Sequence, residues 1–206
     1  MKHQSISEVR PRLIVGISGA SGAVYGVRLL QILRNADIET HLIISKAARL
    51  TFVEELDLRL SDVRALADYN YAIGDIGAAC SSGSFQTMGM IIAPCSIKTM
   101  SEVATGVTSN LLSRAADVTL KERRRLILML RETPLHLGHI RSMAAATEIG
   151  AIVYPPVPAF YAKPKTIDEM VDHTLGRVLD LVGITSDLVQ RWTGLKTNAK
   201  GRSEME

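Results

Sequence analysis

The stretch that decides the fold is Arg12-Leu-Ile-Val-Gly-Ile-Ser-Gly-Ala-Ser-Gly-Ala-Val-Tyr-Gly26. It opens with an apolar run rich in β-branched residues, which predicts a buried strand over residues 13–17. Small residues follow, and from Val24 onward the apolar residues recur at helical spacing, which predicts a helix over residues 22–35. A glycine turn between a strand and a helix lets the backbone approach a ligand, and the helix start offers unpaired N–H groups to an anion. We therefore expect a phosphate at this turn.

The spacing of the glycines separates this turn from well-known nucleotide motifs. It reads Gly16-x-x-Gly19-x-x-Gly22, whereas the dinucleotide fingerprint is G-x-G-x-x-G. No Gly-Lys-Ser/Thr of a P-loop follows it, and no G-x-S-x-G elbow surrounds Ser18 or Ser21. Ser45-Lys46 follows the second predicted strand, where a dinucleotide site would carry an acid for the ribose. A phosphate site and a tight turn without a ligand both stay open on this evidence.

The composition is that of an ordinary globular protein. The chain has 206 residues, of which 47% are hydrophobic and 22% charged, and its net charge is +3. We expect a single domain over residues 12–192, with a flexible N-terminus at 1–11 and a polar flexible tail at 193–206. Aromatic residues make up 4%, which does not favour nucleic-acid binding. Since no membrane-length apolar run, signal-peptide pattern or disulfide framework is present, we expect a soluble cytoplasmic protein.

Strands and helices alternate along the whole chain, and this alternation predicts an α/β fold with a mostly parallel sheet. Residues 69–87 resist assignment. The remaining predicted strands cover residues 38–44, 88–93, 126–130 and 151–154, and the remaining predicted helices lie at about 45–56, 61–67, 96–104, 109–122, 136–149 and 166–182.

Ligands of such folds bind beyond the carboxyl ends of the strands. Here those ends carry hydroxyl groups, cations and an aromatic pair, which suits a phosphorylated ligand with a flat, partly apolar body. The segments in question are Ser18 to Gly22, Ser45-Lys46, Pro94-Cys-Ser-Ile-Lys-Thr99, Arg131-Glu132 and, after a proline-rich loop, Phe160-Tyr161.

These strand ends, together with several further motifs, resemble the flavin prenyltransferase (UbiX) family. The resemblance runs from Leu13 to Trp192, and the motifs fall in the same order. The motifs that carry it are Gly19-Ala-Ser-Gly22, Ile44-Ser-Lys-Ala-Ala48, Pro94-Cys-Ser-Ile-Lys-Thr99, Arg114-Ala-Ala-Asp117, Leu120-Lys-Glu-Arg123, Arg131-Glu132, Pro155-Pro156 and Pro158-Ala-Phe-Tyr161.

The resemblance implies a fold, an activity and an assembly. The fold is a flavodoxin-like (Rossmann-like) three-layer sandwich with an FMN site and no metal. The activity is transfer of a dimethylallyl group from dimethylallyl phosphate to reduced FMN, at N5 and then at C6. The product, prenylated FMN, serves a partner decarboxylase, which in ubiquinone biosynthesis acts on a polyprenyl hydroxybenzoate. Members of the family assemble as homododecamers whose site lies between subunits.

The resemblance also assigns residues to roles. FMN binding falls to Gly19, Ala20, Ser21, Ser45, Ser96, Ile97, Lys98, Thr99 and Arg131. Binding of dimethylallyl phosphate falls to Tyr161, Arg177 and Lys121. The residues at or near the reacting centre are Ser21, Glu55, Arg114, Lys121, Glu132 and Trp192.

The residue types suit this chemistry. Cations placed on the phosphate stabilise the charge that develops as the C–O bond breaks. An aromatic ring such as Trp192 can face the allylic cation. A carboxylate such as Glu132, or the released phosphate, can move the proton that ring closure releases.

Two other functions stay open. FMN-dependent cysteine decarboxylases share the fold, but they use a histidine on the helix after the second strand, and residues 46–56 contain none. A non-enzymatic FMN carrier or regulatory subunit would have no use for a second phosphate site. Cys95 is expected to be a buried small hydrophobe, and His136 with His139 lacks a third metal ligand.

Overall fold

The computed structural model describes residues 10–189, in which six strands form a single sheet. Every neighbouring pair is parallel, and the strand order is β3-β2-β1-β4-β5-β6. The predicted α/β fold is thereby confirmed, with a wholly parallel sheet. The strands are Arg12–Ile17 (β1), Glu39–Ile44 (β2), Tyr69–Tyr71 (β3), Gly89–Cys95 (β4), Arg125–Leu130 (β5) and Ile152–Val153 (β6).

Helices connect the strands and cover both faces of the sheet. None of the helices between residues 10 and 189 is long and apolar enough to span a membrane. Short 3₁₀ turns lie at Ala79–Ser81 and Phe160–Ala162. The α-helices are Ala23–Asn35 (α1), Ala48–Leu56 (α2), Leu60–Arg64 (α3), Ile97–Thr105 (α4), Leu111–Lys121 (α5), Leu137–Glu148 (α6) and Ile167–Leu181 (α7).

The two faces of the sheet pack against different helices. Along β1, Leu13, Val15 and Ile17 belong to a hydrophobic cluster that includes buried residues of α1, α2, α3 and α7. Ile14 belongs to the opposite cluster, with residues of α4, α5 and α6. This alternation is the two-residue period of a strand, and burial on both faces explains why β1 and β4 read as continuous apolar runs. The result is a three-layer sandwich.

Strand β3 is the element that the sequence analysis did not identify, within residues 69–87. It has three residues and lies at the sheet edge beside β2. The His41 ring stacks on Tyr69 with 4.8 Å between centroids, and its Nδ1 lies 2.9 Å from the Tyr71 hydroxyl. Three residues are too few to show a period. With β3 included, the strand order is that of the Rossmann sheet, and without it the order is flavodoxin-like.

Two predicted helix starts differ in detail from the structure. Helix α2 begins at Ala48, although the Ser45 hydroxyl still accepts the Ala48 N–H at 3.2 Å. At α7 the Thr166 hydroxyl accepts the Glu169 N–H at 3.1 Å, as a capping box requires. The Glu169 carboxylate, however, accepts the N–H of Lys165 instead of that of Thr166.

Candidate functional site

A cavity of about 690 Å³ opens at the carboxyl ends of the strands. Its volume lies in the range typical of small-molecule sites. Its walls include all nine residues that the resemblance assigns to FMN, together with Glu132. Those nine are Gly19, Ala20, Ser21, Ser45, Ser96, Ile97, Lys98, Thr99 and Arg131.

The cavity begins where a buried hydroxyl ties two strands together. Ser18 is 1% exposed, and its Oγ donates to the Pro94 carbonyl at 3.0 Å. The same Oγ accepts the Ser96 N–H at 2.6 Å, and the Ser18 N–H also donates to Pro94 O at 3.1 Å. These bonds hold the end of β1 against the end of β4. They therefore place the glycine turn beside the start of α4.

The first turn of α4 presents polar groups to the cavity. The Ser96 hydroxyl accepts the Thr99 N–H at 3.3 Å and donates to Thr99 Oγ1 at 3.1 Å. A helix start carries a partial positive charge, because its first N–H groups have no partner inside the helix. This end of the cavity therefore favours an anionic group.

Arg131 is a cation available to a ligand at the same end. Its backbone N–H donates to Cys95 O at 3.0 Å, which fixes the residue directly after β5. Its guanidinium makes no hydrogen bond or ion pair with any residue between 10 and 189. Because a guanidinium binds carboxylate and phosphate through two parallel hydrogen bonds, Arg131 suits an anionic ligand.

Glu102 holds the opposite wall in place. Its side chain is 14% exposed and lies 3.6 Å from Lys98 Nζ. One carboxylate oxygen accepts the Ser109 hydroxyl at 2.9 Å, and the other accepts the Asn110 amide at 3.4 Å. Asn110 in turn caps α5 by accepting the N–H groups of Leu112 and Ser113. One carboxylate thus links α4 to the start of α5 across the cavity.

Part of the cavity wall was not predicted from the sequence. Ile73 and Gly74 follow β3, the strand that was not identified, and the others lie on α4 or at the start of α5. Their signal is weak, because those segments do not directly follow a predicted strand. The missed residues are Ile73, Gly74, Glu102, Ser109, Asn110 and Leu112.

Glu55 lies at the glycine turn and corrects one expectation. Its Oε2 accepts the N–H groups of Gly22 at 2.8 Å and Ala23 at 2.9 Å. These are the N–H groups that the sequence analysis offered to a phosphate. The start of α1 is therefore capped by a carboxylate from α2, contrary to that expectation. The groups of the cavity wall that remain suited to an anion are the start of α4, Arg131 and Lys46. Glu55 itself lies beside Ser21, next to the cavity wall.

A second group of side chains lies beyond Arg131 and does not line the cavity. Burial raises the pKa of Tyr25, and hydrogen bonding to Thr174 and the charge of Arg131 act in the opposite direction. Burial likewise raises the pKa of Tyr154, opposed by the charge of Arg177. Tyr161 and Tyr25 also act on Tyr154, so these tyrosines lie within electrostatic range of one another. The sequence analysis did not single out Tyr25 or Tyr154.

Tyr161 and Arg177 therefore lie in this second group. Arg177 extends from α7 and forms an ion pair with Asp180 at 2.6 Å. Tyr161 lies in the 3₁₀ turn after the proline-rich loop and is 59% exposed. The two residues expected to hold a phosphate thus both lie within electrostatic range of Tyr154 and do not line the main cavity.

Arg114 and Lys121 are not brought to the cavity within one chain. Arg114 pairs with Asp117 at 2.9 Å, and Lys121 pairs with its neighbour Glu122. Helix α5 begins at the cavity, and Lys121 is its last residue, about 16 Å away at 1.5 Å per residue. The roles assigned to these two cations require a site between subunits. Trp192 lies outside the described residues.

The cysteines and the histidine pair do not form a reactive thiol site or a metal site within the described residues. Burial raises the pKa of both thiols, that of Cys80 to about 11 and that of Cys95 further, so neither is an activated nucleophile. The rings of His136 and His139 lie 3.6 Å apart between centroids. Within residues 10–189, no group of three or more His, Cys, Asp or Glu is placed to hold a metal ion.

We expect Ser18→Ala to destabilise the protein by about 1–3 kcal/mol, because the partly buried Ser96 N–H would lose its acceptor. Chemical denaturation at fixed protein concentration measures this loss. The matched control is Ser61→Ala, whose exposed hydroxyl bonds only the adjacent Asp62, and it should change stability by less than about 0.5 kcal/mol. Equal stability of the two variants would contradict the role given to Ser18.

The known proteins to which this chain is similar are flavoproteins, and flavin prenyltransferases are among them. A family model described as Flavoprotein matches residues 1–190. Flavin prenyltransferase UbiX of Escherichia coli K12 is 60% identical over 186 residues, which cover 89% of this chain and 98% of the relative. The mitochondrial flavin prenyltransferase PAD1 of Saccharomyces cerevisiae is 46% identical over 194 residues, covering 94% of this chain and 80% of that protein.

Solved structures agree with these relatives. AnUbiX (PadA1), crystallised with FMN and dimethylallyl pyrophosphate, superposes with a TM-score of 0.89 at 47% identity, over 91% of this chain and 100% of that one. A dodecameric FMN-dependent UbiX-like decarboxylase from Escherichia coli O157:H7 gives 0.86 at 47% identity, over 89% and 100%. The cysteine decarboxylase TvaF, at 17% identity and a TM-score of 0.59, shares the fold alone. This chain belongs to the flavin prenyltransferase (UbiX) family of flavoproteins.

Proposed function

We propose that this protein is a flavin prenyltransferase that moves a dimethylallyl group from dimethylallyl phosphate to reduced FMN. The observation that carries the proposal is the convergence of nine residues, from four separate segments of the chain, on one cavity of about 690 Å³. A protein 47% identical to this chain has been crystallised with FMN and dimethylallyl pyrophosphate, and it superposes over 91% of the chain. The cavity supports FMN as a ligand, and the solved relative supports FMN together with a dimethylallyl donor.

The cavity suits FMN in its shape and its polarity. Ile73, Ile97 and Leu112 provide apolar contact for a flat ring system. The start of α4 and the guanidinium of Arg131 favour a negatively charged group. When reduced FMN is bound, its N5 supplies the nucleophile of the reaction.

Tyr161 and Arg177 are proposed to hold the phosphate of the donor. Both act on Tyr154, Tyr154 lies within electrostatic range of Tyr25, and Tyr25 within range of Arg131, which supports a donor site beside the flavin cavity. As the donor C–O bond breaks, its electron pair leaves with the phosphate while the allylic carbon bonds to N5. Cations on the phosphate lower the energy of that charge separation. The proton of N5 would pass to the released phosphate. Ring closure would then use the remaining C=C bond: one of its carbons gains a proton while the other bonds to C6, and C6 loses its own proton. Glu132 or the released phosphate would deliver and accept these protons.

Arg114 and Lys121 are proposed to reach the same phosphate from a neighbouring subunit. One structural relative is described as dodecameric, and in this chain α5 carries both cations away from its own cavity. A homo-oligomer, a homododecamer by analogy, would complete the site. Prenylated FMN would then pass in the cytoplasm to a partner decarboxylase, as in ubiquinone biosynthesis.

The alternative functions lack support in the molecule. Helix α2 carries no histidine where cysteine decarboxylases use one, and TvaF resembles this chain at the level of fold alone. A carrier of FMN would need the cavity but not Tyr161 and Arg177 beside it. These features favour the transferase.

A mass measurement tests the proposal. The protein is incubated without oxygen with reduced FMN and dimethylallyl phosphate, and the extracted flavin is analysed by mass spectrometry. We expect a gain of one isoprene unit that requires the protein. Unmodified FMN, recovered from protein that binds it and is supplied with the phosphate or the diphosphate, would contradict the transferase and favour a carrier.

The second group of residues makes a separate prediction. Tyr161→Phe and Arg177→Ala should each raise the KM for dimethylallyl phosphate about tenfold or more, because each removes a hydrogen bond to a charged phosphate. The affinity for FMN, followed by fluorescence quenching, should stay within about twofold. Arg34→Ala, an exposed arginine in the last turn of α1, is the control. Loss of FMN binding in both variants would disprove two separate subsites.

Mixed oligomers test the contribution of a neighbouring subunit. Lys121→Ala and Arg131→Ala are each expected to be inactive, because one lacks the donated cation and the other lacks a cavity cation. Co-expressed in equal amounts, they should recover about a quarter of wild-type activity by random assortment of subunits, since some sites then combine an intact cavity with an intact Lys121. Mixed oligomers without any activity would place both residues in the site of one chain.

A further inference from the structure

The side chain of His173 is buried on α7 and contacts the ring of Tyr161. His173 is 7% exposed, whereas Tyr161 is 59% exposed in its 3₁₀ turn. The two rings meet edge to face, with 5.7 Å between centroids and an interplanar angle of 83°. This is a favourable arrangement for two aromatic rings. A buried side chain of a regular helix thus supports a largely exposed ring that lies in an irregular loop.

A histidine at position 173 costs folding free energy. Its Nε2 is buried and has no hydrogen-bond partner among residues 10–189. A buried polar atom without a partner costs free energy, and an apolar side chain would fill the same space without that cost. Filling space in the core therefore does not explain a histidine here.

Helix α7 also brings His173 to the residue that works with Tyr161. Arg177 lies four residues after His173, and residues at this spacing are neighbours on a helix surface. The charge of Arg177 and the hydroxyl of Tyr161 both act on Tyr154, which places the two near the same point. One turn of α7 therefore carries both the cation and the support for the tyrosine ring.

We propose that His173 is a positioning residue that holds the Tyr161 ring so that the Tyr161 hydroxyl and Arg177 bind one phosphate together. The inference rests on the proposed function, because the phosphate is that of the prenyl donor. His173 touches neither the phosphate nor the flavin. It acts through Tyr161, by contacting the ring edge to face and so limiting its orientation.

Substitutions at His173 separate this role from a purely structural one. His173→Leu fills the space but lacks a ring, and it should raise the KM for dimethylallyl phosphate about three- to tenfold, the effect expected from the loss of one aromatic pair. The kcat and the affinity for FMN should change by less than about twofold. The melting temperature should stay equal or rise, because a buried unpaired nitrogen is removed. His173→Phe keeps a ring and should restore the wild-type KM.

Two further variants test the same role independently of His173→Leu. His173→Gln also lacks a ring, so it should raise the KM as His173→Leu does, and it replaces that variant if the leucine form does not fold. The double variant His173→Leu with Tyr161→Phe should have the same KM as Tyr161→Phe alone, because both changes act on one hydroxyl.

The inference fails if the ringless variants keep the wild-type KM, or if His173→Phe shares their defect while all three lose thermal stability. Wild-type protein measured in parallel distinguishes this failure from that of the proposed function. An active wild type with normal ringless variants removes only the role of His173. A wild type that does not prenylate FMN removes both.

Discussion

The hydroxyl of Ser18 is the interaction on which the site depends. It joins the end of β1 to the end of β4 by accepting one backbone N–H and donating to one backbone carbonyl. In the strand order β3-β2-β1-β4-β5-β6, chain connections leave in opposite directions from β1 and β4. Ligands of open α/β sheets bind at such a reversal. The hydroxyl thus fixes the two loops between which the cavity opens.

The two groups of side chains proposed to hold FMN and the prenyl donor are separate in the molecule. The cavity combines apolar walls with the start of α4 and Arg131, whereas Tyr161 and Arg177 lie in a second group beyond Arg131. The helix start nearest the glycine turn is capped internally by Glu55. An anionic group in the cavity is therefore attracted to the start of α4 and to Arg131. Arg114 and Lys121 of α5 do not line this cavity, and the site between subunits proposed above rests on that observation.

The sequence alone predicted the layers and most of the cavity, because these follow from local patterns. The pattern of apolar residues predicts the strands. A residue that directly follows a strand, such as Ser96 or Arg131, is then predicted to lie at the edge of the sheet where the cavity opens. The sequence did not predict β3, whose three residues carry no period and depend on stacking with His41. Nor did it predict that Glu55 caps α1, because that bond joins residues 32 or 33 positions apart along the chain. Tyr25 was missed for the same reason, since its partner Thr174 comes from α7.

A crystal structure of the protein with FMN and dimethylallyl phosphate tests the central claim most directly. The account predicts the flavin ring against Ile97 and Leu112, the FMN phosphate at the start of α4 and Arg131, and the donor phosphate bound by Tyr161 and Arg177. It also predicts that Lys121 of a neighbouring subunit reaches that phosphate. A flavin bound outside the cavity, or a donor phosphate held by residues of a single chain without Tyr161 and Arg177, would contradict the account.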